Sequence, residues 1–288
     1  MRSRRQQQKK RKDFLGIIGI IAIFALGGGG YYLLDSNSDA LDPDTFCSID
    51  NGPTAVTAIV FDKSQAYSVE QVTDIKTSFD SWLAGKEPST KNRPIDLSFF
   101  AEGTLVQLYV TDNQDIKSIG GLDPKKELCV PKDFRDSKGW ISNPQLSSNQ
   151  YKEFVNAFSS ILDGLLREEE GISPIMETFV RLSNSASFLA HTDKQHNIFI
   201  ISDMLQHSDN YSHYASNQGM DWKNFEQQMA GTVYLKPRLN NVGWQVFLAR
   251  RNNPRDKALQ KNANVIFWEN FFRNAKALPP GQWISIDG

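Results

Sequence analysis

The longest apolar stretch of the chain lies near its N-terminus. Residues 14–34 contain no charged side chain over 21 positions, which is the length needed to cross about 30 Å of hydrocarbon. Seven Lys and Arg and no acidic residue precede this stretch in residues 1–12, and such clusters stay on the cytoplasmic side of a membrane. The pattern predicts a basic cytoplasmic tail (1–13) and a transmembrane anchor (14–34). A cleaved signal peptide is the alternative, because the most apolar part, residues 15–26, spans only twelve positions.

Beyond the anchor, short apolar runs alternate with amphipathic segments. Residues 35–53 are rich in Asp and Ser and predict a spacer. The apolar runs predict strands at 54–61, 95–101, 104–111, 197–202, 243–250 and 282–286. The amphipathic segments predict helices at 69–83, 149–168, 221–229 and 258–276, and a further helix that begins with Ser173 as N-cap and Pro174. The stretch 112–148 is predicted to be irregular.

This alternation predicts a single doubly wound α/β domain over residues 54–288, with a mostly parallel sheet flanked by helices. The run TAVTAIVF (54–61) is almost entirely apolar, which is typical of a parallel strand buried on both faces. The runs 95–101 and 104–111 are separated by only two residues and predict a hairpin, so the sheet is expected to be mixed. Four aromatic residues of the last predicted helix are expected to pack against the sheet: Phe267, Trp268, Phe271 and Phe272.

Charge and cysteine content narrow the possible partners and the compartment. Residues 35–288 carry 25 Lys and Arg against 32 Asp and Glu, a net charge of −7, which argues against nucleic acid as a partner. The only two cysteines, Cys47 and Cys129, lie beyond the predicted anchor, in a compartment that permits disulfides. They are predicted either to pair or to remain two free, buried thiols.

Two acidic residues, Asp62 and Asp203, directly follow predicted buried strands. In doubly wound sheets, ligands bind beyond the carboxyl ends of the strands, at the point where the strand order reverses. Ser64 follows Asp62 in the loop that enters a helix, and Ser173 stands at the start of another helix. The sequence therefore predicts one shared site for the two carboxylates and the neighbouring hydroxyls.

These residues resemble the metal ion-dependent adhesion site of the von Willebrand factor A (vWA) family. That site combines a D-x-S-x-S loop after the first strand, a Thr before a later helix and an Asp after the fourth strand. Asp62 and Ser64 match the loop, Ser173 in SPIMETF stands where the Thr belongs, and Asp203 in IISDML matches the last motif. The resemblance covers about residues 53–288 and implies a vWA-like fold.

The resemblance also implies a metal, Mg²⁺ or Mn²⁺, at these four residues, with an acidic side chain of a protein partner as a further ligand. Hard divalent cations prefer such oxygen ligands. One position departs from the family pattern, because the second serine of the loop is replaced by Ala66, which cannot ligate. Ser68 lies close by in sequence and is a possible extra ligand.

The predicted function is that of a membrane-anchored protein-interaction module in a bacterial envelope assembly, with its N-terminus in the cytoplasm and its domain in the periplasm. Two alternatives stay open. One is a metal-assisted hydrolase or phosphatase-like enzyme that uses Asp62 and Asp203, and the other is a structural subunit without metal, whose site is a hydrogen-bond network. The sequence contains no Walker A, G-x-S-x-G or G-x-G-x-x-G motif. His207 and His213 are interpreted as part of a solvated loop.

Overall fold

A six-stranded sheet forms the centre of the domain. The computed structural model describes residues 40–64, 66–83, 97–111, 121–131, 144–167, 171–215, 220–232, 237–279 and 281–286. The predicted tail and anchor, residues 1–34, lie outside these ranges. Within the described ranges, no helix combines the length and the apolar character that crossing a membrane requires.

The strands are β1 (Ala55–Phe61), β2 (Thr104–Val110), β3 (Lys126–Cys129), β4 (Gln195–Ser202), β5 (Gly243–Ala249) and β6 (Gln282–Ile286). The α-helices are α1 (Val69–Leu83), α2 (Pro144–Leu165), α3 (Ile175–Leu182), α4 (Ala186–Leu189), α5 (Trp222–Gln228), α6 (Pro254–Leu259) and α7 (Asn262–Asn274), and Leu97–Phe100 forms a 3₁₀-helix.

The sheet has the strand order β3-β2-β1-β4-β5-β6, and every pair is parallel except β2 with β3. This is the order of doubly wound α/β folds, in which the chain reverses direction across the sheet at the boundary between the two central strands. The reversal lies here between β1 and β4, where Ile59 is paired with Phe199. The predicted fold class, a mostly parallel sheet flanked by helices, is confirmed.

Both faces of the sheet are buried, as the apolar run of β1 predicted. Alternate β1 side chains enter different cores because successive side chains of a strand point to opposite faces. Val56, Ala58 and Val60 contact the core under α3 and α7, whereas Ile59 and Phe61 contact the core under α1 and α2. All four aromatic residues predicted to pack α7 against the sheet are buried in the first core.

The predicted hairpin is wrong. Residues 97–100 form a 3₁₀-helix, and β2 lies parallel to β1 instead of antiparallel to a preceding strand. Phe99 and Phe100 are buried beside the sheet, and the Thr57 hydroxyl donates to the Phe99 carbonyl at 2.6 Å. A short apolar run has the same composition in a strand and in a buried turn of helix. The antiparallel partner of β2 is β3, which lies in the stretch predicted to be irregular.

Two helix predictions also need correction. Ser173 does not cap α3, because the N-cap of this helix is Pro174 and no side chain caps it. The predicted helix 258–276 is two helices, α6 and α7. The break falls at Gln260, whose side chain turns inward and donates to the main-chain carbonyls of Asp203 and Ala249.

The described part of the predicted spacer, residues 40–53, is attached to the domain. Cys47 and Cys129 form a disulfide that joins it to β3, which confirms the predicted pairing. The Cys129 N–H also donates to the Thr45 carbonyl. Phe46 is buried and its ring meets that of Phe154 of α2 edge-on, with centroids 6.2 Å apart. The chain is therefore held against the sheet edge from about residue 45 onwards.

Candidate functional site

The two strand-end acids lie side by side at the reversal of strand order. Asp62 follows β1 and Asp203 follows β4, and these strands are direct neighbours. The Asp62 N–H donates to the Ile201 carbonyl at 2.9 Å, so the parallel ladder continues to the first acid. Both carboxylates are buried, with 0% and 1% of their surface exposed. The structure thus places the two acids at one edge of the sheet, as parallel pairing requires.

The Asp62 carboxylate is the centre of a hydrogen-bond network. Its Oδ1 atom accepts from the Ser64 N–H at 3.0 Å and from Thr111 Oγ1 at 3.1 Å. Its Oδ2 atom accepts from the hydroxyls of Ser173 and Ser202, both at 2.8 Å. Four donors on one buried carboxylate fix its position and compensate for its loss of water. The loop after β1, the end of β2, the start of α3 and the end of β4 therefore meet at this side chain.

The hydroxyl of Ser64 differs from those of Thr111, Ser173 and Ser202 in having no partner among the described residues. Only 7% of the surface of Ser64 is exposed, and its Oγ atom makes no hydrogen bond in the described part of the chain. It lines a pocket of about 390 Å³ that reaches Asp203, whereas Asp62 is fully buried beneath the pocket-lining residue Ser173 and does not line it. The pocket is lined by Ser64, Gly171, Ser173, Asp203, Leu205, His207, Tyr214, Asn253, Arg255 and Asp256. A buried polar atom without a partner costs free energy, so this hydroxyl is a candidate for contact with a ligand.

Asp203 is paired with a buried arginine. Arg251 Nε donates to Asp203 Oδ2 at 2.8 Å, and the Leu205 N–H donates to Oδ1 at 2.9 Å. Burial raises the pKa of Asp203 above that of an ordinary aspartate, and the nearby Asp62 adds to the rise while Arg251 opposes it. The ion pair is thus what balances the charge of this carboxylate.

Further contacts hold Arg251 in place. Its Nη1 atom donates to the Ala66 carbonyl at 3.1 Å, and its guanidinium lies 5.7 Å from the centroid of the Tyr67 ring. The Tyr67 hydroxyl donates to the Asp62 carbonyl at 2.8 Å and to the Ile201 carbonyl at 2.9 Å. Burial raises the pKa of Tyr67 well above its usual value, with the Asp62 charge as the second cause, so this hydroxyl remains a donor.

Ser68 has another role in the structure than the extra ligand proposed from the sequence. Its hydroxyl accepts from the Gln71 N–H at 3.2 Å, and the Gln71 side chain accepts from the Ser68 N–H at 3.1 Å. This reciprocal pair is a capping box at the start of α1. Ser68 is not among the residues that line the described pocket.

The loop after Asp203 is ordered around a buried carboxylate, Glu177 of α3. Glu177 accepts from Gln206 Nε2, Ser208 Oγ and Asn210 Nδ2. His213 at the far end of this loop is 2% exposed, so the interpretation of this histidine as part of a solvated loop is wrong. Gln206, Ser208 and Asn210 of this polar loop point inward because they supply the hydrogen-bond donors that the buried Glu177 carboxylate requires.

Three members of the site were not identified from the sequence: Thr111, Ser202 and Arg251. Each lies at or just after the carboxyl end of a strand, in β2, β4 and β5 respectively. The rule that singled out Asp62 and Asp203 would have found them, had it been applied to hydroxyls and cations as well as acids. The assignment of Arg251 to Asp203 needed the structure, because the two residues are 48 positions apart.

The donor set fits a divalent cation in part. Mg²⁺ and Mn²⁺ prefer carboxylate, hydroxyl and water oxygens. Ser64, Ser173 and Asp203 offer such atoms around one pocket, whereas Asp62 does not line it and accepts a hydrogen bond from Ser173. The Ser64 hydroxyl, buried and without a partner, fits a ligand role. The Arg251 guanidinium is an obstacle, because it already occupies an oxygen of Asp203. No cluster of three or more His, Cys, Asp or Glu that could bind a metal occurs among the described residues.

No protein-family model matches the sequence, and no curated protein is significantly similar to it. Three solved structures each align with 81% of this chain. An aerotolerance-related membrane protein from Bacteroides fragilis NCTC 9343, carrying multiple mutations to serine, is 11% identical over 92% of its own chain, with a TM-score of 0.34. Proximal thread matrix protein 1 from the mussel byssus is 7% identical over 42% of its chain, with a TM-score of 0.36.

The third structure, the SpRpn10 VWA domain, is 9% identical over 88% of its chain, with a TM-score of 0.35. TM-scores below 0.5 do not establish a shared fold. The strand order itself defines the class of protein: a doubly wound α/β domain with a polar pocket where the strand order reverses.

Proposed function

We propose that this chain is a protein-interaction module whose partner docks at the pocket lined by Ser64, Ser173 and Asp203. The Ser64 hydroxyl carries the proposal, because it is a buried donor and acceptor that no group of the described residues satisfies, and because Ser64 lines the pocket. Binding sites in doubly wound folds lie at this edge of the sheet. A ligand atom that bonds to Ser64 would remove the cost of the unpaired hydroxyl.

The positive charge at the rim of the pocket favours a partner that carries an acidic group. Arg255 is exposed there, and its guanidinium lies 4.8 Å from the centroid of the Tyr214 ring. The contact with the ring favours this position of the guanidinium, from which it can donate two hydrogen bonds to a planar carboxylate. The exposed side chain of His207 lies on the same rim.

A divalent metal is part of this proposal. Ser64 and Ser173 would contribute hydroxyl ligands, with Asp62 and Asp203 as the negative charges that hold the ion. When bound, Mg²⁺ or Mn²⁺ would supply a positive centre for a carboxylate of the partner. Within the chain, Thr111 and Ser202 hold Asp62 in place by donating to its Oδ1 and Oδ2 atoms respectively.

Metal-free docking is the second candidate, and a specific observation favours it. The Asp62 carboxylate already accepts four hydrogen bonds, and Arg251 already neutralises Asp203. Both acids are therefore satisfied by groups of the chain itself. Docking would then depend on shape and on Arg255 instead of on an ion.

We further propose that residues 14–34 anchor the module in a bacterial inner membrane, with the domain in the periplasm as part of an envelope assembly. The disulfide between Cys47 and Cys129 supports this location, because stable disulfides form in oxidising compartments. The bond lies close to the anchor in sequence, so it would keep the domain near the membrane surface.

The test is site-specific photo-crosslinking of the full-length chain in cells. A photoreactive phenylalanine replaces His207 on the pocket rim, or Arg273 in the last turn of α7 as the control position. We expect a defined crosslinked product from position 207 and none from position 273. The same crosslink is then measured in a Ser64→Ala background. This change breaks no hydrogen bond within the chain, so folding should be unaffected while the product is lost.

Ser202→Ala is the matched control for Ser64→Ala. It removes the same hydroxyl from a serine that donates to Asp62 and accepts from the Met204 N–H at 2.7 Å, so it should lower the melting temperature. An undiminished crosslink in the Ser64→Ala background would refute pocket docking. Crosslinking in membranes treated with a metal chelator separates the two candidates, because only the metal-dependent form should lose the product.

A further inference from the structure

A buried ion pair forms one wall of the site. Only 6% of the Arg251 side chain and 2% of the Asp203 side chain are exposed, and Arg251 Nε lies 2.8 Å from Asp203 Oδ2. Removing a guanidinium and a carboxylate from water is costly, and breaking such a pair leaves an uncompensated charge. Each of the two groups therefore needs the other to compensate its charge, unless another ion replaces one of them.

The main chain around this pair is braced by Gln260. The Arg251 N–H donates to Gln260 Oε1 at 2.8 Å, while Gln260 Nε2 donates to the carbonyls of Asp203 and Ala249 at 2.9 and 2.8 Å. The Arg251 guanidinium then reaches the Ala66 carbonyl at 3.1 Å. Ala66 is the position at which the adhesion-site pattern has its second serine. Ala66 has no side-chain oxygen that could bind a metal, but its main-chain carbonyl accepts a hydrogen bond from the cationic Arg251.

We propose that Arg251 is a resident cation that competes with a divalent metal for Asp203. This inference rests on the metal site proposed above. A divalent ion close to Asp203 would meet the positive guanidinium, and two cations at short range in a buried site repel each other strongly. Metal binding therefore requires Arg251 to leave Asp203. The site then has two states, one with Asp203 paired to Arg251 and one with Asp203 close to the metal.

With Arg251 paired to Asp203, two hydroxyl groups of the site still line the pocket. Ser64 Oγ has no partner and lines the pocket together with Ser173. Arg251 itself is not among the pocket-lining residues and contacts Asp203 from the side of Ala66 and Tyr67. The guanidinium thus acts on the charge of the site without filling the pocket. Its effect should appear in the affinity for metal and not in the shape of the cavity.

The experiment measures Mn²⁺ binding by the full-length chain in detergent, from the loss of the electron paramagnetic resonance signal of free Mn²⁺. The variant Arg251→Gln removes the charge and keeps a hydrogen-bonding side chain. It should bind Mn²⁺ at least about tenfold more tightly than the wild type, because a repelling charge is gone. Arg251→Lys keeps the charge and should remain close to wild type. Arg273→Gln makes the same charge change outside the site and should have no effect.

A second measurement uses only the wild-type chain and guards against misfolding of the Arg251→Gln variant. Phenylglyoxal modifies accessible arginines, and mass spectrometry reports modification at Arg251. Mn²⁺ should increase this modification, because the guanidinium leaves its buried pair. Equal Mn²⁺ affinities of the wild type and Arg251→Gln, or no Mn²⁺ binding by either, would overturn the competition. Crosslinking from position 207 would survive that outcome if pocket docking is correct, so the two proposals fail separately.

Discussion

His213 should make the stability of this domain sensitive to mild acid. Its ring is buried among Tyr211, Phe267 and Trp268, at centroid distances of 5.9, 4.8 and 5.9 Å, and neither ring nitrogen makes a well-formed hydrogen bond. Burial lowers the pKa of His213 to about 3, and the nearby Met204 carbonyl offsets only part of that effect. The folded state therefore holds the neutral imidazole, whereas the unfolded chain takes up a proton near pH 6.5.

The size of the effect follows from these two values. The contribution of the neutral ring to stability is complete above pH 6.5 and is lost progressively as the pH falls towards 3. At pH 5 the unfolded state has gained about 2 kcal/mol from this histidine alone. For a domain of this size, about 2 kcal/mol corresponds to roughly 4 to 8 °C in melting temperature.

The assay is thermal unfolding of the full-length chain in detergent at pH 7.5 and pH 5, followed by tryptophan fluorescence. His213→Phe keeps an aromatic ring in the cluster and cannot be protonated, so its melting temperature should fall less than that of the wild type. The raised pKa of Asp203 changes stability in the opposite direction, but it is common to both proteins and cancels. His207→Phe alters an exposed histidine of the same loop and should behave like the wild type. An equal acid response of His213→Phe and the wild type would refute the reasoning.

Three further predictions concern the disulfide, the Asp62 network and the anchor. Replacing Cys47 and Cys129 by Ser should lower the free energy of unfolding by about 4 kcal/mol, because the bond closes a loop with a sequence separation of 82; reductant should shift the melting of the wild type but not of the variant. Asp62→Ala leaves four buried donors without their acceptor and should cost about 3 kcal/mol or more, whereas Asp62→Asn should cost less. Deleting residues 1–39 should move the protein from the membrane fraction to the soluble fraction, and continued membrane association would contradict an anchor at 14–34.

Much of the fold was predictable because local pattern and tertiary structure agree. β1 is almost entirely apolar and lies between two cores, so its burial on both faces could be read directly. The helix predicted at 69–83 has the observed bounds of α1. Residues 97–100 were mispredicted because the apolar and polar residues of 95–99 (IDLSF) alternate as in a strand, and in so short a segment this alternation does not exclude a buried 3₁₀ turn.

The candidate site divides in the same way. The sequence by itself determined the two acids, since each directly follows a buried strand and parallel pairing brings the ends of such strands together. It also determined that Cys47 and Cys129 were available to pair. The polar character of Ser64 and Ser173 was visible, but not which of the two hydroxyls would have a partner.

Only the tertiary structure decided how the charges of the site are balanced. Arg251 is 48 residues from Asp203 and 185 residues from Ala66, and contacts at such separations leave no local pattern. The same holds for His213, whose polar neighbours in sequence suggest solvent while its neighbours in space are aromatic rings. Burial and pairing are properties of the packed chain. They determine here that the charge of Asp203 is balanced by Arg251 of the same chain.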